Sequence, residues 1–295
     1  MKQFALTAIV LALLALTGCH RQKPGMVMMT DDSYRPRIIA TNKAGFGSPD
    51  GLLWRNGTLY LADEGADTME SWNSSTGLKK LADAHLGCLS PEDLVMDAEG
   101  NIFFSDDDAG GVWTIDAHGN PRLLAGKDKG LISTEGIALA PDGSILVGDG
   151  EQHEVFRVTR DGAVSEFLGK QYGIAKPESM VYDDRGNLYI ADNVDDVLYM
   201  LDASNQLHRI IAGRESFSPE TIFFSQGALY ITDSHHGKLF LYRPNDELKT
   251  IAAFAGELKN VQGITTDDAG NIYVGVQTDL KRRRGDIIEI SKERG

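Results

Sequence analysis

Pro49-Asp50-Gly51-Leu52, Pro91-Glu92-Asp93-Leu94, Thr134-Glu135-Gly136-Ile137, Pro177-Glu178-Ser179-Met180, Pro219-Glu220-Thr221-Ile222 and Val261-Gln262-Gly263-Ile264 recur along the chain at intervals of 42 or 43 residues. Each copy opens a short apolar run. A turn such as Asp97-Ala98-Glu99-Gly100 or Asp183-Asp184-Arg185-Gly186 follows, then a strand such as Asn187-Leu188-Tyr189-Ile190-Ala191-Asp192. Segments such as Val197 to Leu201 and Leu207 to Ile211 supply a third and a fourth strand. Four short strands per unit, at a spacing of about 40 to 50 residues, mark the blades of a β-propeller. The chain therefore reads as all-β, a six-bladed β-propeller of four-stranded blades. The last unit runs out one strand short after Ile287 to Ile290. Arg37-Ile38-Ile39-Ala40, ahead of the first unit, matches Arg122-Leu123-Leu124-Ala125 and Arg209-Ile210-Ile211-Ala212. This N-terminal strand is expected to join the last blade, closing the ring and covering an open sheet edge. Residues 34–295 then form one domain.

The N-terminus reads as a targeting segment. Lys2 and the apolar run Phe4 to Leu16 form a secretory signal, too short for a membrane span. The run ends in Leu16-Thr17-Gly18-Cys19, which resembles the lipobox of bacterial lipoproteins. That resemblance implies a signal peptide over 1–19, lipidation of Cys19 and attachment to the cell envelope through the lipid anchor only. With His20 rather than Asp after the cysteine, it implies outer-membrane sorting in a Gram-negative cell, facing the periplasm or the cell surface. Residues 20–33, polar with a Met-rich patch, read as a flexible tether. Once Cys19 is lipidated, Cys88 has no partner for an intrachain disulfide.

A formal net charge of −14 excludes nucleic acid as a partner, because a phosphate backbone needs a basic face. It favours cations or cationic ligands. Propeller geometry sorts the acids further. The start of each innermost strand and the loops after the second and fourth strands share one face, and the Asp-x-x-Gly turns at Asp97, Asp183 and Asp267 lie on the other. Asp50, Glu92, Glu135, Glu178 and Glu220 should thus ring one channel mouth, with Gln262 as the sixth member. Asp63, Asp106, Asp149, Asp192 and Asp233 end the second strands, where a carboxylate caps the following turn. Blade six has Gly275-Val276 there.

Two carboxylates about 6 Å apart repel by about 1 kcal/mol in water-like surroundings and about 3 kcal/mol at a surface-like dielectric. Five such groups need raised pKa values or a neutralising cation; loosely held counter-ions in a hydrated channel are the alternative. A divalent cation, Ca2+ above all, suits all-oxygen ligands. The facing loops carry His153, His235 and His236, each a candidate general base or a solvated loop residue. Lys281-Arg282-Arg283-Arg284-Gly285-Asp286 of blade six lies on the same face, placed to pair with a neighbouring loop or to receive an anionic ligand group.

The runs "PEDLVMDAEGNIFFSD" and "GNLYIADNVDDVLYML" resemble NHL repeats, and also the superfamily of senescence marker protein/gluconolactonases, strictosidine synthases and paraoxonases. The resemblance spans the mature domain and implies a calcium-dependent lactonase or esterase whose metal is held by acids opening the innermost strands. Transferred position by position, the ligands would be Glu92, with Asp93 behind it, and Glu135, Glu178, Glu220 and Asp50. A ring Glu, Glu92 or Glu178, or one of the three histidines would serve as base. The chain departs from the pattern in its almost wholly acidic ring, which would hold a cation tightly but leave it little Lewis acidity. Two further readings stand beside this one. One is a non-catalytic ligand- or protein-binding module using the loop face, and the other is a strictosidine-synthase-like enzyme acting on an amine substrate.

Replacing Cys19 by Ala is expected to move the protein from the membrane fraction to the soluble envelope fraction. Unchanged membrane association, read by fractionation and immunoblot, overturns the lipid-anchor reading.

Overall fold

A computed structural model describes residues 26–244, 246–279 and 281–292. Cys19 and the apolar N-terminal run lie outside the described residues. Among those described, no helix is long and apolar enough to cross a membrane.

The described chain is strands joined by tight turns and single turns of 3-10 helix, arranged as six antiparallel sheets. The innermost strands are Pro49–Arg55, Pro91–Met96, Thr134–Leu139, Ser179–Tyr182, Ile222–Ser225 and Asn260–Thr266, one per repeat. Ring closure follows the sequence expectation. Tyr34–Thr41 pairs antiparallel with Arg284–Lys292 and becomes the outermost strand of blade six.

Residues 27–29 depart from the tether assigned to 20–33. Val27–Met29 pairs with Lys249–Phe254 as a fifth strand of blade five. Met26, Val27 and Met29 pack against the apolar seam between blades five and six. The Met-rich patch is apolar enough to cover a sheet edge, so the ordered part begins ahead of residue 34.

Six apolar clusters, one per seam between neighbouring blades, make up the core. Alternation sends one side chain of each strand to the preceding blade and the next to the following one. A blade therefore buries both faces, and stability is shared around the ring.

The Asp-x-x-Gly turns are structural, as read from sequence. Asp97 accepts the backbone and side-chain N–H groups of Asn101, both at 2.8 Å, and Asp183 and Asp267 do the same for Asn187 and Asn271. The strand-ending aspartates do more. Asp63 accepts N–H groups from Gly47 (2.6 Å) and Ser48 (2.8 Å), in the loop entering the blade, and from Ala66 (3.0 Å), in its own following loop. Asp106, Asp149, Asp192 and Asp233 repeat this two-loop clamp, and all five are fully buried.

Among its described residues blade six carries no such clamp. Its second strand continues past Gly275 to Asp279 and returns at Arg284. A Cβ on Gly275 would lie 2.5 Å from the Pro49 carbonyl oxygen, as one on Gly148 would lie 2.3 Å from that of Pro177, and the cap position itself is held by the buried Val276.

Asp149→Ala leaves the N–H groups of Ile132 and Gln152 without an acceptor. It is expected to cost about 3 kcal/mol and to lower Tm by about 10 °C, and Asp149→Asn is expected to destabilise as well, because its amide oxygen accepts from one loop only and its NH2 faces the N–H of the other. Equal melting of the wild type and Asp149→Ala overturns the clamp.

Candidate functional site

Where the ring acids sit, the inner strands are irregular. Register shifts fall between Pro49 and Gly51, Pro91 and Leu94, Thr134 and Ile137, and Val261 and Ile264. A bulge re-aims the side chain it carries. Asp50, Glu92, Glu135 and Gln262 consequently turn to the channel, joined by Glu178 and Glu220 just ahead of their strands, and together they line a cavity of about 250 Å³. All five acids expected at the mouth are present.

The ring is divided rather than uniform. On the side of blades one and two, carboxylate oxygens of Asp50, Glu92 and Glu64 all lie within 4.8 Å of one another. Burial, reinforced by the neighbouring carboxylates, pushes the Asp50 and Glu92 carboxyls well above the usual range. Ser90 donates to Glu92 at 3.0 Å, while the buried Oδ1 of Asp50 receives no hydrogen bond. Glu64 reaches outward to Arg283 of blade six at 3.1 Å, and Arg283 also meets Asp67 at 3.2 Å. The basic run of blade six thus pairs with the loop of blade one through Arg283.

On the side of blades three and four, an internal cation replaces mutual repulsion. The Lys176 ammonium lies 3.1 Å from Glu135 and 2.9 Å from Glu178, an ion pair rather than an aligned hydrogen bond in the second case. Burial and the neighbouring Glu220 and Glu135 carboxylates still raise Glu178 to about 8, against the lowering by Lys176. Glu220 instead accepts hydrogen bonds from Ser234 at 2.6 Å and from Asn193 at 3.3 Å.

Asp93, one residue past Glu92, lies deeper. It accepts from the Leu94 N–H at 2.8 Å, and burial raises its carboxyl to about 7. Asp93 and Thr221 border both the acidic mouth and a second chamber of about 220 Å³, lined by apolar side chains such as Leu52, Met96 and Met180. The acids therefore crowd one end of the channel.

The histidines do not join them. His153 bonds the Ala175 carbonyl through Nδ1, His235 meets the Ser218 hydroxyl at 2.9 Å, and His236 lies against the Asp233 cap at 2.9 Å. None lines the cavity, because His153 and His235 are turned onto neighbouring loops and His236 back onto the aspartate ending its own second strand. Cys88 is fully buried and burial pushes its thiol up, which makes it unreactive.

Glu64 and Lys176 were missed by the sequence reading, though both left a signal. Glu64 follows a capping aspartate, the position held by Asp107, Asn193 and Ser234 in other blades. Lys176 stands two residues ahead of a ring acid, where the other blades have Ser48, Ser90, Ser133, Ser218 and Asn260.

No family model matches the chain, and no curated protein matches it. Solved structures match it in fold. A gluconolactonase from Xanthomonas campestris superposes with a TM-score of 0.72 at 15% identity, over 90% of this chain and 95% of that one. Virginiamycin B lyase from Staphylococcus aureus gives 0.66 at 13%, over 88% and 100%. Regucalcin from Agrobacterium tumefaciens, described as a calcium-binding protein, gives 0.65 at 15%, over 84% and 91%. The chain is a six-bladed β-propeller similar in fold to the gluconolactonase-type propellers that its repeats resemble.

Lys176→Met removes the cation between Glu135 and Glu178. The expected loss is about 5 °C in Tm at pH 8, shrinking toward pH 5 as the freed carboxyls take up protons. A loss that is the same at both pH values overturns Lys176 as the charge that offsets them.

Proposed function

We propose that this protein is a divalent-metal-dependent hydrolase of lactones or esters, lipid-anchored in the cell envelope through Cys19. The observation that carries the reading is the triad of Asp50, Glu64 and Glu92, with the Asp50 Oδ1 buried and undonated. Hard carboxylate oxygens suit a hard cation such as Ca2+, and three ligands leave the cavity side open to water and substrate. Such a cation would supply Lewis acidity toward an ester or lactone carbonyl.

The chain's own residues do the rest. Lys176 holds Glu135 and Glu178 apart from the triad, so those carboxyls remain available for proton transfer. Glu178, raised to about 8, is the best placed to hold and move a proton. Arg283 fixes Glu64 from outside. The histidines named as candidate bases play no part in this reading, and Glu92 is assigned to the cation rather than to proton transfer. Fold likeness to a gluconolactonase and to a calcium-binding propeller agrees with it.

A binding-module reading has one specific observation in its favour. Leu86, Leu89, Ile132, Tyr172 and Val194, all on loops of the cavity face, are exposed large apolar side chains. A small-molecule or protein partner with an apolar surface would be received there.

Metal analysis of the full-length chain is expected to find about one tightly held divalent cation, with Tm falling on chelation. No metal and no thermal shift overturns the hydrolase reading. On a lactone and ester panel, kcat/KM should climb with pH to a plateau above about 8, as Glu178 loses its proton. Glu178→Gln should remove that limb and about 100-fold of the rate.

A further inference from the structure

Among the described residues one buried acid belongs neither to the ring, nor to the caps, nor to the Asp-x-x-Gly turns. In five blades the third-strand residue opposite the second residue before the cap position is aromatic or aliphatic. It is Trp113 opposite Phe104, Phe156 opposite Val147, Tyr199 opposite Ile190, Phe240 opposite Ile231, and Ile288 opposite Val274. Each packs in the seam with the preceding blade. In blade one that place is taken by Glu70, opposite Leu61. Its seam is the one that closes the ring, where Leu61 packs with Tyr273 and Ile287 of blade six.

Glu70 is 2% exposed, and no N–H or O–H group donates to its Oε2. An apolar residue there would stabilise the seam, and a carboxyl costs stability, so packing does not account for it. Asp63 stands opposite Thr68, which makes it the diagonal neighbour of Glu70 across the strand pair, and burial together with this carboxylate raises Glu70 from its usual 4.5 to about 7. The other charge acting on it is Lys80, its register partner on the outermost strand, which also lies 3.6 Å from Asp83. From blade six, Ile287 brings no charge, and the Tyr273 hydroxyl is bonded to Asp267 at 3.1 Å.

Asp63 is the clamp from which two of the three candidate cation ligands hang. The Gly47 and Ser48 N–H groups it accepts lead directly into Asp50, and the Ala66 N–H it accepts follows Glu64 by two residues. The two loops touch through backbone, since a Cβ on Gly65 would lie 2.3 Å from the Ser48 nitrogen.

We propose that Glu70 is a positioning residue: as a neutral carboxyl it donates to Asp63 and keeps the clamp on Asp50 and Glu64 closed, and on losing its proton it repels Asp63 and loosens both. The cation-site half of this inference rests on the hydrolase reading above, whereas the clamp half does not. Because the folded-state value lies above the unfolded one, the stability that neutral Glu70 contributes is complete below about 4.5 and is lost as pH rises through about 7. The ring acids act in the opposite sense on cation binding, which strengthens as they ionise. Glu70 would therefore flatten the rise in affinity with pH.

The test compares the full-length wild type with Glu70→Gln, a neutral donor, and Glu70→Leu, which removes the titrating group should the first variant fold poorly. Glu70→Gln should melt with the wild type at pH 4.5 and about 5 °C above it at pH 7.5. Amide exchange at Gly47, Ser48 and Ala66 should quicken above pH 7 in the wild type beyond its intrinsic pH dependence, and not in the variant. Calcium affinity should be equal at pH 5.5 and about threefold tighter in Glu70→Gln at pH 8, a difference of about 0.7 kcal/mol. A melting difference that is the same at every pH, or exchange that does not differ, overturns the proposal. Calcium binding of equal strength in both proteins at every pH overturns the positioning of the cation site. Absence of calcium binding in both proteins counts against the hydrolase reading alone, and the exchange result then decides the role of Glu70.

Discussion

A buried carboxylate that accepts N–H groups from two different loops ties those loops into one rigid body, and this protein repeats the device in five of its six blades. Asp63, Asp106, Asp149, Asp192 and Asp233 each join the loop entering a blade to the loop leaving its second strand. The ring acids stand two or three residues from the clamped N–H groups. Their convergence on the channel is thus fixed by hydrogen bonds to charged acceptors, which are stronger than neutral ones. Fully buried and multiply bonded, these aspartates hold the ring acids together against their mutual repulsion.

That repulsion is resolved unevenly, and the unevenness gives the site its chemistry. Blades three and four use Lys176, and blade five uses Ser234 and Asn193 as donors to Glu220. Blades one and two have Arg283 only on the outer side of Glu64, leaving Asp50 and Glu92 facing each other without a donor between them beyond Ser90. An incoming cation gains most there. Lys176 on one side and the triad, paired only through Glu64 with Arg283, on the other give one small cavity two electrostatically different halves.

The repeat was legible because blades share a period, a turn type and an acid at one register, and periodicity survives without coordinates. Ring closure was legible because Arg37-Ile38-Ile39-Ala40 copies the fourth strand of other blades. Glu64 and Lys176 were harder, since each is a departure from its own repeat and carries meaning only when its position is compared across all six. The histidines misled because sharing a loop face is not the same as reaching the channel, and local bonds such as His236 to Asp233 decide the direction. Residues 27–29 looked like tether because three residues are too few to show strand alternation.

By itself, the sequence determined the blade count, the closing strand, the acidic face and the five ring positions, because strand periodicity and turn chemistry are local and repeat. Only the tertiary structure decided how the charge on that face is shared. Ion pairs such as Lys176 with Glu135 and Arg283 with Glu64 depend on distances of a few ångströms between side chains. Bulges and the clamp hydrogen bonds set those distances, and no spacing along the chain encodes them.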